Sequence, residues 1–285
     1  MSQILSFTGV DDNALAASLY GEHGPPVLLF HGGGQTRHSW EETALRLAKS
    51  GFRAIAVDQR GHGDSIWIES GDYSYPAFAA DLLAVTHSVA KRFGQAPILV
   101  GASLGGLSGL IASGMADKDP FAALVLVDIT PKPDPKGVQR ILEFMGAHLE
   151  EGFGSLEEAG DAVAAYLPQR KRPGDLKGLE KNLRKHEDGR YRWHWDPAFM
   201  RERMFSDEDE AGLIAAARSV KAPVLLVRGL ASELVGAEQV RIFQTMVPHA
   251  RFVDVADAGH MVAGDKNTIF ADAVIDFITS LSWGV

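Results

Sequence analysis

Val100-Gly101-Ala102-Ser103-Leu104-Gly105, VGASLG, closes the apolar run APILV (96–100) with a serine set between two glycines at a spacing of two. A buried strand that turns directly into a helix would place Ser103 on a sharp bend. Gly101 and Gly105 then remove Cβ atoms where the two elements approach, and the hydroxyl stands above the carboxyl ends of the strands. The plainer reading is that Ser103 caps a helix starting near Leu104 and that the small residues only ease packing. The two readings part over whether the chain also supplies a base, because a lone serine hydroxyl is a poor nucleophile.

Working outward, five runs rich in Val, Ile and Leu read as strands: residues 25–32, 52–59, 96–103, 122–129 and 222–229. A sixth, ARFVDVAD (250–257), is more mixed and fits a place nearer an edge. The runs are continuous rather than alternating, the pattern of strands covered on both faces. Helical patterns occupy about 39–50, 76–93, 104–117, 237–246 and 266–281, and residues 3–20 allow a further strand or hairpin. Strand and helix in turn predict an α/β fold, with a mostly parallel central sheet flanked by helices. From Thr130 to about Lys221 the rhythm breaks into PKPDPKG, an acidic run, a basic-leaning stretch and SDEDE. The chain then returns at once to a buried strand. The expected organisation is therefore a core of residues 1–130 and 221–285 carrying a helical cap insertion, 131–220.

Composition narrows the chemistry. The 285 residues include no cysteine, which excludes disulfides, thiolate nucleophiles and cysteine-ligated metals. A formal charge of -9 argues against nucleic acid or an anionic membrane as partner. No apolar run approaches the roughly 18 residues of a membrane span. The first residues show no basic segment ahead of a long apolar one, so a cytoplasmic protein is the expectation.

The first strand ends in His31-Gly32-Gly33-Gly34, where backbone N–H groups are unobstructed. With the N–H of Leu104 they can hold the negative oxygen of a tetrahedral intermediate. A phosphate-cradling loop would want G-x-G-x-x-G or a G-K-[ST] ending, and neither occurs. His260, in DAGHM after the sixth run, is the best base, since it lies in a loop at a strand's carboxyl end and far downstream of the serine. For the acid that orients it, Glu233 in RGLASELV is preferred and Asp128, ending LVLVD, is the alternative. Asp257 sits too near His260 in a short loop to reach its far ring nitrogen easily. No set of His and carboxylate residues shows metal-ligand spacing, and no nucleotide or flavin is implied, so no cofactor is expected.

With these pieces in order the sequence resembles the α/β-hydrolase family, in its branch with a cap after the sixth strand. The resemblance rests on LLFHGGG (28–34), AVDQRGHGDS (56–65), VGASLGG (100–106), LVDITP (126–131), PVLLVRGLASELV (223–235) and DAGHM (257–261). It implies that Gly33, after the first HG, supplies one oxyanion N–H and Leu104 the other. It implies an acid after the seventh strand, most often aspartate, where this chain carries Glu233; in some branches a residue placed like Asp128 serves instead. DQRGHGDS reads as a fingerprint in which Asp58, Arg60 and His62 brace the loop. A serine at 103 disfavours epoxide hydrolase and haloalkane dehalogenase chemistry, which use an aspartate nucleophile. The expected reaction is cleavage of a small or medium carboxylic ester, or a related carbonyl compound, through an acyl-enzyme. The alternatives are a C–C bond hydrolase or lactonase with the same triad, a cofactor-free perhydrolase relative, and a ligand-binding receptor on this fold. Trp40, Phe144, Trp193 and Trp195 are candidates for the substrate pocket, with Met145, Leu149, Phe199 and Met204 beside them. A polar anchor in that pocket would favour C–C or lactone substrates. The basic stretch 170–192, nine Lys or Arg against four Asp or Glu, reads as a solvated face.

Overall fold

A computed structural model describes residues 2–167, 176, 179, 181–201, 206–265 and 267–281. Each of the six apolar runs forms a strand, and four more strands join them among the described residues. They are β1 (Gln3–Thr8), β2 (Ala14–Tyr20), β3 (Pro26–Phe30), β4 (Arg53–Val57), β5 (Ile98–Ala102), β6 (Ala123–Val127), β7 (Leu183–Lys185), β8 (Tyr191–Trp193), β9 (Val224–Gly229) and β10 (Arg251–Val255). Eight of them make one sheet in the order β1-β2-β4-β3-β5-β6-β9-β10. The amino-terminal hairpin β1–β2 is antiparallel, β2 pairs antiparallel with β4, and the remainder is parallel.

The continuity of the apolar runs has a direct cause. Leu28, Phe30, Ile55, Val57, Leu99, Leu124, Leu126 and Leu226 enter one core, while their neighbours Val27, Leu29, Ala54, Ala56, Val100, Val125 and Leu225 enter the other. With period-2 alternation, a sheet covered on both faces needs every strand residue apolar. The first core is closed by α2 (Tyr75–Phe93), α3 (Leu104–Met115), α6 (Asp207–Ser219) and α7 (Ala237–Met246). The second is closed by α1 (Glu41–Lys49) and α8 (Asn267–Thr279). Strand β10 is the sheet's edge, which accounts for its exposed Arg251 and Asp254.

Between β6 and β9 the chain rises over the carboxyl ends of the strands as a cap. It holds α4 (Pro135–Gly146), its N-terminus satisfied by Asp134, and α5 (Leu156–Tyr166), capped by Ser155. These are joined by a single helical turn, Ala198–Arg201, and by the amino end of α6. Buried Met145, Phe153, Trp193, Trp195 and Phe199 pack there against Phe78 and Leu104 of the core. One element departs from a purely helical cap. Residues of the basic stretch form the antiparallel hairpin β7–β8, pairing Leu183 with Trp193 and Lys185 with Tyr191. Leu183 and Trp193 are buried while Arg184 and Lys185 face out, and Gly189 turns the hairpin at φ 79°. The positive charges therefore line the outside of a ribbon whose inside belongs to the cap core.

Strand order places the site. From β3 the chain goes to β4 on one side and then to β5 on the other, so a crevice opens beyond the carboxyl ends of β3 and β5. The HGGG loop follows β3, Ser103 follows β5, Asp128 follows β6 and His260 follows β10.

Candidate active site

Ser103 occupies the turn between β5 and α3 at φ 44° and ψ -111°, a conformation that L-residues avoid. The turn is tight enough that a Cβ at Gly105 would overlap the carbonyl of Phe30, and one at Gly101 would meet the backbone of Gly105 at 2.5 Å. Glycine at both positions is thus a condition of the bend. Ser103 makes no side-chain cap, contrary to the plainer reading of the sequence, and its N–H donates to the Val127 carbonyl at 3.2 Å. Its side chain and that of His260 line the same cavity.

The carboxylate that meets His260 is Asp128, not Glu233. Asp128 Oδ2 lies 2.8 Å from His260 Nδ1, with the aspartate fully buried and the histidine side chain 14% exposed. Asp128 also accepts from the Gly229 N–H at 3.0 Å and from the Ser232 hydroxyl at 2.5 Å. Glu233 turns the other way, into the cap. It pairs with Arg140 of α4 at 2.7 Å and accepts from the Tyr166 hydroxyl of α5 at 3.0 Å. Burial and this carboxylate together hold the Tyr166 phenol well above its ordinary pKa. The reason for the correction is local. Asp128 follows directly on a buried strand and, at φ 51°, turns its carboxylate along the strand ends. Glu233 stands four residues beyond the end of β9, where α4 packs on its backbone. From that later loop it is Ser232, which sequence reading passed over, that reaches the buried acid.

The glycine loop presents one uncommitted donor between two committed ones. Gly32 N–H donates to Gln35 Oε1 at 3.0 Å and Gly34 N–H to His62 Nε2 at 3.1 Å. Among the described residues neither Gly33 N–H nor Leu104 N–H has an acceptor. Leu104 is the first residue of α3, whose N-terminal partial positive charge points the same way. His31 buttresses the loop, with Nδ1 against the Gly32 carbonyl at 2.8 Å and Nε2 accepting from Gln59 N–H at 3.0 Å. The fingerprint residues brace as expected, in two separate buried ion pairs. Asp58 takes Arg37, and Arg60 grips Asp81 at 2.6 and 2.9 Å.

His194, on the segment leaving β8, is a second residue that sequence reading did not single out. It is 2% exposed, accepts from Gly63 N–H at Nδ1 (2.8 Å) and reaches the Gly34 carbonyl with Nε2 (3.3 Å). Burial, with His31 nearby, holds its pKa down to about 4. Burial lowers His31 in the same direction.

The cavity measures about 510 Å³ and is lined by Trp40, Phe144, Trp193 and Trp195, together with Met145 and Phe199. Phe144 stacks on Tyr166 at 4.2 Å and Trp193 on Trp195 at 4.8 Å, giving flat aromatic walls. Leu149 is not part of the lining, and Met204 lies outside the described residues. Among the described residues the wall carries no lysine or arginine, no cluster of side chains could hold a metal ion, and no helix is long and apolar enough to cross a membrane.

Comparison with known proteins agrees in extent and in kind. The family profile described as alpha/beta hydrolase fold matches residues 25–266. An esterase of Mycobacterium tuberculosis is 33% identical over 90% of this chain and 84% of its own length. The 2-(acetamidomethylene)succinate hydrolase of Mesorhizobium japonicum is 32% identical over 90% and 88%. A solved structure of the M. tuberculosis esterase superposes with a TM-score of 0.77 at 30% identity, covering 98% of this chain and 93% of the other.

Proposed function

The chain belongs to the α/β-hydrolase family and is an ester-cleaving serine hydrolase; from that premise we propose that Ser103, His260 and Asp128 are its catalytic triad, with Gly33 and Leu104 as oxyanion donors and a neutral carboxylic ester as substrate. The observation that carries the reading is the 2.8 Å contact between Asp128 and His260, made at the rim of a cavity that also takes in Ser103.

Asp128 fixes the proton of the imidazole on Nδ1, which leaves Nε2 to accept the Ser103 proton as the hydroxyl oxygen attacks the carbonyl carbon. The N–H groups of Gly33 and Leu104 receive the oxyanion, and the resulting imidazolium is stabilised by the carboxylate below it. Collapse of the intermediate breaks the ester C–O bond, and His260 protonates the leaving alkoxide. Water then repeats the sequence on the acyl-enzyme and releases the acid and free Ser103. The three hydrogen bonds received by Asp128 hold its side chain in place beneath the imidazole as the histidine becomes positive.

The cavity supports the choice of substrate. Its walls are mostly aromatic and aliphatic, with Gln35, Ser39, Ser74 and Asn182 as uncharged polar members, and a bound carboxylate would face Asp209 there and no lysine or arginine among the described residues. Burying an unpaired charge costs roughly several kcal/mol. An uncharged acyl chain of short or medium length avoids that penalty. A cytoplasmic setting completes the proposal, to be checked by cell fractionation.

The test is a panel of p-nitrophenyl esters, a lactone and a vinylogous 1,5-diketone, run with wild type and Ser103→Ala. The expected result is turnover of neutral short and medium esters that falls by orders of magnitude in Ser103→Ala. Hydrolysis at the wild-type rate by that variant removes the nucleophile, and a preference for the diketone or lactone replaces the substrate class.

A further inference from the structure

Gly34, the residue after the proposed oxyanion donor, is held at both of its backbone groups by imidazoles from different parts of the chain. Its N–H donates to Nε2 of His62, in the core loop after β4, at 3.1 Å. Its carbonyl faces Nε2 of His194, in the cap, at 3.3 Å. Because a backbone N–H can only donate, the tautomers follow. His62 has Nε2 bare and carries its proton on Nδ1, which donates to the Arg60 carbonyl at 2.9 Å. His194 accepts Gly63 N–H at Nδ1, so its proton sits on Nε2 and points at Gly34. Both rings are buried, and their centroids lie 5.9 Å apart. Phe199 of the cap packs edge-on against His62 at 4.7 Å and lies over Gly33, where a Cβ would come within 3.2 Å of its ring.

We propose that His62 and His194 are positioning residues of the oxyanion hole: neutral and in opposite tautomers, they fix Gly34 from both sides and so aim the Gly33 N–H at the developing charge. The cap, through His194 and Phe199, then completes the catalytic machinery as well as roofing the substrate. The inference rests on the assignment of Gly33 as an oxyanion donor made above. Such a donor acts only if its direction is fixed before the charge forms, and an error of about 1 Å in placement costs on the order of 100-fold in rate.

Asparagine and glutamine separate this role from simple scaffolding. An asparagine amide overlays Nδ1 of histidine and a glutamine amide overlays Nε2. At both positions glutamine keeps the bond to Gly34 and loses the other one, whereas asparagine keeps the other bond (to Arg60 at 62, to Gly63 at 194) and loses Gly34. With p-nitrophenyl butyrate, His62→Asn and His194→Asn should lower kcat roughly 10- to 100-fold while KM stays within about twofold, the pattern of an interaction made only in the transition state. His62→Gln and His194→Gln should rescue most of that loss. If His62→Asn fails to fold, His194→Asn carries the test, because it retains the bond that docks the cap on Gly63. Equal losses in the Asn and Gln variants, or losses expressed in KM, overturn the proposal. Two controls address the reading beneath it. Ser103→Ala must be inactive, and a trifluoromethyl ketone must bind wild type far more tightly than its methyl ketone counterpart. If either control fails, the oxyanion assignment and the clamp fall together; if both hold and the Asn/Gln ranking fails, only the clamp falls.

Discussion

Asp128 accepts from a backbone N–H, a hydroxyl and an imidazole, and this arrangement tolerates no donor in its place. Asparagine would turn an amide NH2 toward at least one of those three donors and would remove the charge that balances the imidazolium. Asp128→Asn should therefore lower kcat by about 10⁴, as loss of the orienting acid does in other serine triads. Glu233→Gln keeps a hydrogen-bonding amide between Arg140 and Tyr166 and should leave kcat within a few-fold. Steady-state kinetics on one ester decides between them, and the reverse ranking would return the acid to Glu233. At this scale the sequence pointed to Ser103, Gly33, Leu104 and His260, which line one cavity, because glycines beside or two places from each of them mark a turn. It was not legible for the acid, because Asp128 and Glu233 both follow buried strands. What separates them is the direction of a side chain set by one positive φ, and a serine at 232 whose partner lies 104 residues away.

The turn from β5 to α3 shows why the elements themselves could be read so closely. Gly105 sits against the carbonyl of Phe30 on the adjacent strand β3, and neither backbone can retreat without breaking the β3–β5 ladder. Gly105→Ala should cost about 3 kcal/mol in urea-unfolding free energy and disturb the Ser103 bend with it; an unchanged midpoint and slope would mean the turn has slack. The strands and core helices came through from sequence because burial on two faces demands unbroken apolar runs. The hairpin β7–β8 did not. Each of its strands is three residues long, and only Leu183 and Trp193 mark its inner side among charges. The clasp of Glu233 on α4 and α5 was equally hidden, since it joins residues 93 and 67 positions apart. Arg140 is 48% exposed, so solvent screens the ion pair and the hydroxyl contact contributes most. Glu233→Ala should lower stability by about 1 kcal/mol, and differential scanning fluorimetry should show a Tm lower by about 2 °C.

At the scale of the whole molecule, the cap and the core meet across a group of histidines that the fold keeps uncharged, and acid should act on that junction first. His194 is faced by His31 and His62, by Asp58, and by Arg184 from its own hairpin. In the unfolded chain its imidazole binds a proton as pH falls past its ordinary 6.5; in the fold it does so only near 4. Over that interval the unfolded state holds more protons, so stability declines as pH drops from about 6.5 and the loss is complete near pH 4. For this residue alone the loss is about 3 kcal/mol, and buried His31 adds in the same direction. A glutamine at 194 cannot take up the proton. Urea-unfolding free energies measured between pH 7.5 and 4 should therefore fall less steeply for His194→Gln than for wild type. Parallel curves across the whole range would show that His194 titrates alike in both states, and that the junction is not what gives the molecule its acid sensitivity.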